Sequence, residues 1–204
     1  MDDRRMFHPI TFRILYFLLR VAFRICHPVI HIQGRETLPD GPAVLCANHS
    51  HLTDPIWIVV WARLSRHPGI MAKKELFHNK AFGRLLTKLG AFPVDRGNTD
   101  IGAIKNAMRT LKSGNKLLIF PEGTRVRKGK TSEPHAGAVL IAHRVNVPIV
   151  PVYLSVKKGL FRPITLKFGT PYHPDFGNSK PTSDAMDQHA TELMHHIYAM
   201  GESK

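Results

Sequence analysis

The sequence predicts an α/β fold: a single domain on a mixed, mostly parallel sheet flanked by helices, preceded by an N-terminal amphipathic helix suited to a membrane interface. Three observations predict it. From residue 29 onward, short apolar runs alternate with segments at helical spacing, the pattern of successive strand–helix units. A chain of 204 residues is long enough for one well-buried domain and too short for two comfortable ones. An apolar content of 43% against 22% charged residues is globular rather than disordered. The chain is therefore divided into an N-terminal membrane-associating helix, residues 1–28, and an α/β domain, residues 29–204.

Residues 6–26 are mostly aromatic and aliphatic, but their longest central charge-free run, 14–19, is far short of the roughly 18 residues of a spanning helix. On a helix, Arg13, Arg20 and Arg24 fall within an arc of about 40° and apolar side chains fill much of the rest. One reading is a helix lying among lipid headgroups with its arginines reaching phosphates. The other is a helix packed on its own domain with its arginines in water. The first is preferred.

Residues 29–33 alternate apolar with polar, as in a half-buried strand, and a Pro39-Asp40-Gly41-Pro42 turn follows. Residues 44–47 form a continuously apolar, buried-type strand. Residues 55–64 make a helix apolar on most sides, either buried or facing lipid. A short strand at 69–72 leads to a helix carrying Phe82, Leu85, Leu86 and Leu89, closed by Gly90. Residues 91–94 are again extended. Thr99 or Asp100 caps a helix through Leu111. Residues 117–120 make another buried-type strand, and the small apolar residues of 136–145 a helix. Residues 147–154 are β-branched but interrupted by Pro148 and Pro151, which places them at a strand start or a sheet edge. A last strand at 164–168 and a helix at 182–200 complete the chain.

Charge narrows the partners. Twenty-nine Lys and Arg against 15 Asp and Glu leave +14, a field that attracts nucleic acid, anionic lipid or phosphorylated metabolites. Aromatic residues are not interleaved with the basic ones as on a nucleic-acid platform, so nucleic acid is not expected. Cys26 and Cys46 give neither a disulfide framework nor paired metal spacing, which fits a reducing compartment. No secretory signal is expected, because residues 1–5 balance acid with base and no small-residue cleavage site follows. An interfacial helix on such a chain suggests the cytoplasmic face of the cell membrane, peripheral or monotopic.

The chemistry centres on residues 43–55. The strand delivers His49 to its end, and Asp54 precedes Pro55, where proline favours the first helical position. Three readings stay open. Asp54 can fix one ring nitrogen of His49 and leave the other to take a proton; it can merely cap the helix; or His49, His51 and Asp54 can hold a metal. The last resembles the zinc box of metallo-β-lactamase-like hydrolases but misses its spacing, and no metal is assigned. Residues 90–97 and 120–125 each end a strand with an arginine beside a glycine. Strand carboxyl ends are where ligands bind in α/β sheets, and arginine's fork suits phosphate.

Together these blocks resemble the glycerophospholipid acyltransferase family. Its Asn-His, four residues, Asp block is matched by Asn48, His49 and Asp54; its Gly-x-Phe/Ile-Pro-Val-Asp/Asn-Arg block by residues 90–96; its Phe-Pro-Glu-Gly-Thr-Arg block by 120–125; and its Val-Pro-Ile-Val-Pro-Val block by 147–152. The resemblance is clear over residues 34–154. Family members often have serine two places after the histidine, where this chain has His51, which leaves a second base candidate in the loop.

The resemblance implies transfer of a fatty acyl group from a thioester, coenzyme A or acyl-carrier protein, to the free hydroxyl of lysophosphatidic acid, giving phosphatidic acid. Glycerol-3-phosphate or another lysophospholipid is the alternative acceptor, and a non-catalytic basic membrane or nucleic-acid binding protein is a distant one. No cofactor is implied beyond the co-substrate. His49 would be the general base and Asp54 its support. Lys73, Arg96, Glu122, Gly123, Thr124 and Arg125 would bind the acceptor headgroup and phosphate. No nucleophile elbow surrounds Ser50 or Thr53, so direct attack is expected rather than an acyl-enzyme. Backbone N–H groups of the His49 turn or the Gly123 loop are expected to hold the oxyanion.

Overall fold

The computed structural model describes residues 9–62, 64, 68–95, 100–126, 132–177 and 180–202. Its centre is a seven-stranded sheet of β1 (Ile30–Gln33), β2 (Val44–Ala47), β3 (Gly69–Lys73), β4 (Ala91–Val94), β5 (Leu117–Ile119), β6 (Ile149–Leu154) and β7 (Ile164–Phe168). The strand order is β1-β7-β6-β2-β5-β3-β4. From β6 to β4 neighbours are parallel, β7 runs antiparallel to β6, and β1 runs parallel to β7.

Among the described residues six α-helices flank the sheet: α1 (Pro9–Cys26), α2 (Asp54–Ala62), α3 (Lys80–Lys88), α4 (Ile101–Lys112), α5 (Gly137–Val145) and α6 (Ser183–Glu202). Every residue of β2 is buried, as a parallel strand covered on both faces must be. Leu45 and Ala47 face a core shared with α1 and α2, whereas Val44 and Cys46 face one shared with α4, α5 and α6. The chain leaves β2 through α2 toward β3 on one side, and leaves β5 through α5 toward β6 on the other. Both crossovers then pass over opposite faces of the sheet, which opens a crevice at the carboxyl ends of β2 and β5.

Local chemistry sets the helix ends. Asp100 caps α4, its Oδ1 accepting from Ala103 N–H at 2.8 Å. Asn79, which the sequence reading passed over, caps α3 by accepting from Ala81 and Phe82. The expectation that residues 147–154 lie at a strand start or edge is corrected in part. Pro148 does precede a strand, but β6 is interior, with Pro151 opposite Cys46 of β2. Pro151 is tolerated because its nitrogen faces away from β2, toward the point where β7 ends at Phe168. There Gly169 N–H donates to the Pro151 carbonyl, and the neighbouring ladder resumes only at the Ile149–Tyr172 bridge.

Helix α1 lies on α2, and of its arginines Arg20 packs against that helix whereas Arg24 is exposed. Arg20 turns inward, donating through Nε at 3.0 Å and Nη2 at 2.8 Å to the Val60 carbonyl in the last turn of α2. Arg24 lies 5.9 Å over the ring of Trp61. Phe23 stacks on Trp57 at 4.1 Å. The outward face carries Ile14, Phe17, Leu18, Val21 and Ile25, all exposed. No helix among the described residues is long and apolar enough to cross a membrane. The side chain of Arg13 lies outside the described residues.

Candidate active site

Asn48 fixes the exit of β2. Its buried side-chain amide donates to the Leu154 carbonyl at 2.9 Å and accepts from Leu154 N–H at 2.8 Å, completing the ladder between β2 and β6 where strand geometry stops. His49 is thereby held at the mouth of the crevice. Its backbone N–H donates to Glu122 Oε2 at 2.7 Å, its carbonyl accepts from Val126 N–H at 2.8 Å, and its ring stacks on Phe120 at 4.2 Å. The loop after β5 therefore grips His49 on three sides.

His49 Nδ1 lies 3.0 Å from Asp54 Oδ2. The same oxygen accepts from the backbone N–H groups of Ser50 and His51, both at 2.7 Å. Asp54 is not the helix cap that its place before Pro55 suggests. The N–H groups of Ile56 and Trp57 go to the Thr53 carbonyl, so the carboxylate instead folds back over the loop that carries His49. The dyad and cap readings thus separate, and the structure brings together the dyad.

Beneath Asp54 sits a residue that the sequence reading missed. Lys158, in the connection from β6 to β7, places Nζ 2.8 Å from Asp54 Oδ1 and 2.8 Å from Ser50 Oγ, with only 4% of its side chain exposed. Burial pushes the Asp54 carboxyl up, but the His49 hydrogen bond, the Lys158 charge and the His51 N–H together outweigh it and hold the group below the usual carboxylate range. Burial also lowers Lys158, more than Asp54 raises it.

Glu122 is the second buried carboxyl under the turn. Besides the His49 N–H, it binds the hydroxyl of Tyr198 through Oε1. Burial raises its pKa despite both partners. Tyr198 comes from α6, far along the chain, and no local motif marks it. A cleft of about 1340 Å³ reaches the site at Glu122, lined among others by His135, Tyr153, Lys157, Arg162 and Tyr198.

The remaining predicted residues divide. Gly123 has φ +63°, and an added Cβ would stand 2.7 Å from the His135 ring, so this position needs glycine. Thr124 and Arg125 are exposed, just before the Val126 N–H that binds His49. Lys73 is exposed at the carboxyl end of β3, the same sheet edge as His49, with Nζ 3.3 Å from Glu75. Lys74 is instead bound to Asp95. Arg96 lies outside the described residues. His51 is exposed, with Nδ1 on the Thr53 hydroxyl at 2.9 Å, so its ring does not share Asp54. Among the described residues no three His, Cys, Asp or Glu side chains are placed to hold a metal.

Four of the donors covered by the oxyanion expectation are already engaged. The N–H groups of His49, Ser50 and His51 are taken up by Glu122 and Asp54, and that of Gly123 by the Phe120 carbonyl at 3.0 Å. These four donors build the turn and are not aimed at a substrate.

Comparison with known proteins now bears on this geometry. The sequence model of the Acyltransferase family matches residues 29–155, a stretch that contains the His49 turn and the loop after β5. The chain is 37% identical over 177 residues to a 1-acyl-sn-glycerol-3-phosphate acyltransferase of Bacillus subtilis, covering 80% of this chain and 87% of that one. It is 33% identical over 162 residues to one of Streptococcus pneumoniae, covering 76% of this chain and 59% of that longer protein. In fold it is similar to the crystal structure of the 1-acyl-sn-glycerophosphate acyltransferase of Thermotoga maritima, with a TM-score of 0.72, 23% identity, and coverage of 100% of this chain and 85% of that one. A match over most of the α/β domain, joined to relatives above 30% identity, places this chain in the Acyltransferase family, as an enzyme of acyl transfer.

Proposed function

We propose that this chain transfers a fatty acyl group from an acyl thioester, on coenzyme A or acyl-carrier protein, to the free sn-2 hydroxyl of lysophosphatidic acid, giving phosphatidic acid. The observation that carries the chemistry is the His49–Asp54 contact at 3.0 Å in a buried setting. With Nδ1–H donated to the carboxylate, Nε2 keeps its lone pair for the acceptor hydroxyl. As that hydroxyl attacks the thioester carbonyl, its proton moves to His49 Nε2. Collapse of the tetrahedral intermediate breaks the carbon–sulfur bond, and the departing thiolate takes the proton from the imidazolium. No acyl-enzyme is needed.

Roles follow the surroundings of each residue. Asp54 positions His49 and stabilises the imidazolium. Lys73, Thr124 and Arg125, all exposed, are assigned to the acceptor's headgroup and phosphate, and so is Arg96. Glu122 is reassigned: both its oxygens are engaged by His49 N–H and Tyr198, and a carboxylate facing a phosphate would repel it. It braces the turn. Residues 1–28 serve as the membrane-associating element, supported by the exposed apolar face of α1, with the cytoplasmic leaflet of the cell membrane as the working surface.

The test offers purified protein several acyl thioesters with lysophosphatidic acid, glycerol-3-phosphate and other lysolipids, and identifies products by mass spectrometry. Phosphatidic acid is the expected product. His49→Ala should lose about 10²- to 10⁴-fold in turnover while keeping its melting transition. Near-normal turnover in that variant refutes the mechanism, and preferential acylation of another acceptor refutes the substrate.

A further inference from the structure

We propose that the tip of the β6–β7 connection, residues 159–161, is a second lipid-inserting element. Together with the outward face of α1 and Leu52, it would form an apolar collar around the active-site mouth and seat the enzyme on an anionic bilayer. Leu160 and Phe161 are consecutive and each 66% exposed. Phe161 moreover has φ +60°, a region that costs a bulky side chain about 1–2 kcal/mol. Folding stability explains neither the exposure nor the strain, and a tip held in this state points to a partner outside the chain.

The tip is not loose. Phe161 N–H donates to the Cys26 carbonyl at the end of α1 at 2.8 Å, Arg162 N–H to the Gly159 carbonyl at 3.0 Å, and His27 Nδ1 lies 3.1 Å from the Arg162 carbonyl. These contacts anchor it to the end of α1, whose apolar stripe closes at Ile25, 69% exposed. On its other side the connection carries Lys158, bound to Asp54 and Ser50. Two positions before Asp54 stands Leu52, itself exposed. The β6–β7 connection thus ties the end of α1 to the His49 loop, and each of these three elements carries exposed apolar side chains.

Charge selects the occupant. The tip lies between exposed Lys157 and Arg162, on a chain of net charge +14. Apolar groups ringed by cations match acyl chains beneath anionic headgroups. The inference rests on the acyl-transfer reading only for the purpose of the collar, because vesicle binding is measured without turnover.

The test is co-sedimentation of the full chain with phosphatidylcholine vesicles containing phosphatidylglycerol. The double variant Leu160→Ser/Phe161→Gly removes the apolar tip while suiting the positive φ, and should melt no lower than wild type. Vesicle affinity is expected to fall about tenfold, from the loss of two inserting side chains. Acylation of a water-soluble short-chain acceptor should stay near wild type, and acylation of a vesicle-embedded one should fall with binding. Unchanged vesicle affinity, in a protein whose α1 variant Phe17→Ser/Val21→Ser loses it, overturns the role of the tip and leaves α1 as the sole anchor. Equal loss of turnover on the soluble acceptor also overturns it, by assigning the tip to the reaction site. So does loss of acyl-carrier-protein binding with vesicle binding intact, which assigns the tip to a protein donor. Absence of acylation in wild type with tip-dependent vesicle binding sinks the acyl-transfer reading alone.

Discussion

The buried pair of Asp54 and Lys158 permits a test that separates support of His49 from simple charge balance. Asp54 is fully buried and Lys158 nearly so, with 2.8 Å between them. In Asp54→Asn, the amide oxygen can keep the Ser50 and His51 N–H groups, but the NH₂ then faces the Lys158 ammonium, donor against donor. Removing one partner of such a pair costs about 3–5 kcal/mol. For a chain of this size that lowers the melting temperature by roughly 10 °C. Lys158→Met should cost a similar amount by leaving Oδ1 without its cation, yet Oδ2 still holds His49, so turnover is expected within about tenfold of wild type. The double variant Asp54→Asn/Lys158→Met removes both charges and should cost about 3 kcal/mol less than the sum of the two single variants, the coupling between the pair. Its turnover should stay down by about 10²- to 10⁴-fold, because His49 still lacks its carboxylate. Thermal melts and thiol release from the acyl thioester give both readouts on the same samples. A double variant that regains turnover along with stability refutes the reasoning, since Asp54 would then serve only to neutralise Lys158.

Two further outcomes follow from the carboxyl groups under the turn. Tyr198→Phe leaves Glu122 Oε1 without its hydroxyl donor at a site already desolvated, at a cost of about 1–3 kcal/mol. Melting temperature and turnover should both fall, turnover by less than in His49→Ala; an unchanged melt and rate would show that α6 does not brace the turn. In acid, Asp54 acts through linkage. Its native pKa lies below the unfolded value, so its contribution is present above about pH 4 and is lost as pH falls toward the native value. Glu122, raised by burial, has the opposite sign, its contribution being lost as pH rises from its unfolded value through the native one. Denaturant titrations below pH 5 should therefore show a steeper loss in wild type than in Asp54→Asn/Lys158→Met. Parallel acid profiles would contradict that assignment.

How much of this was legible in the sequence depended on whether the cause was local. Alternating apolar runs and caps are local, and the strands, the helices and the parallel sheet follow from them. His49 and Asp54 are five residues apart, so their meeting could be argued before the structure, though whether Asp54 caps α2 could not. That turned on whether the Thr53 carbonyl or the Asp54 carboxylate meets the first turn of the helix, a matter of loop conformation. Lys158 and Tyr198 were invisible for a different reason. Each reaches the site from more than 70 residues beyond its partner in the chain, and a lysine beside another lysine, or a tyrosine on an amphipathic helix, carries no mark of burial. Pro151 and Arg20 misled because residue-type rules assume an average neighbour. Proline is excluded from interior strands only where the adjoining ladder needs its N–H, and arginine faces water only where no helix end offers it a carbonyl.

The long-range partners also explain why the turn at His49 can be both strained for donors and stable. A loop that directs three successive N–H groups, from His49 to His51, toward two carboxylates concentrates negative charge beneath one imidazole. Glu122 is pushed toward protonation first by its burial and then by the Asp54 charge. Lys158 relieves Asp54 by direct contact, and Tyr198 accommodates Glu122 with a neutral donor. The asymmetry has a chemical result: Asp54 stays ionised beside the His49 ring, whereas Glu122 holds backbone and is the easier of the two to protonate. Which carboxylate is ionised beside His49 is thus selected by elements from the far end of the chain, the β6–β7 connection and α6. The same β6–β7 connection carries the apolar tip at residues 159–161. Lys158, which keeps Asp54 ionised, stands two residues before Leu160, so one connection completes the base and carries the side chains proposed for lipid, and the base is complete without lipid.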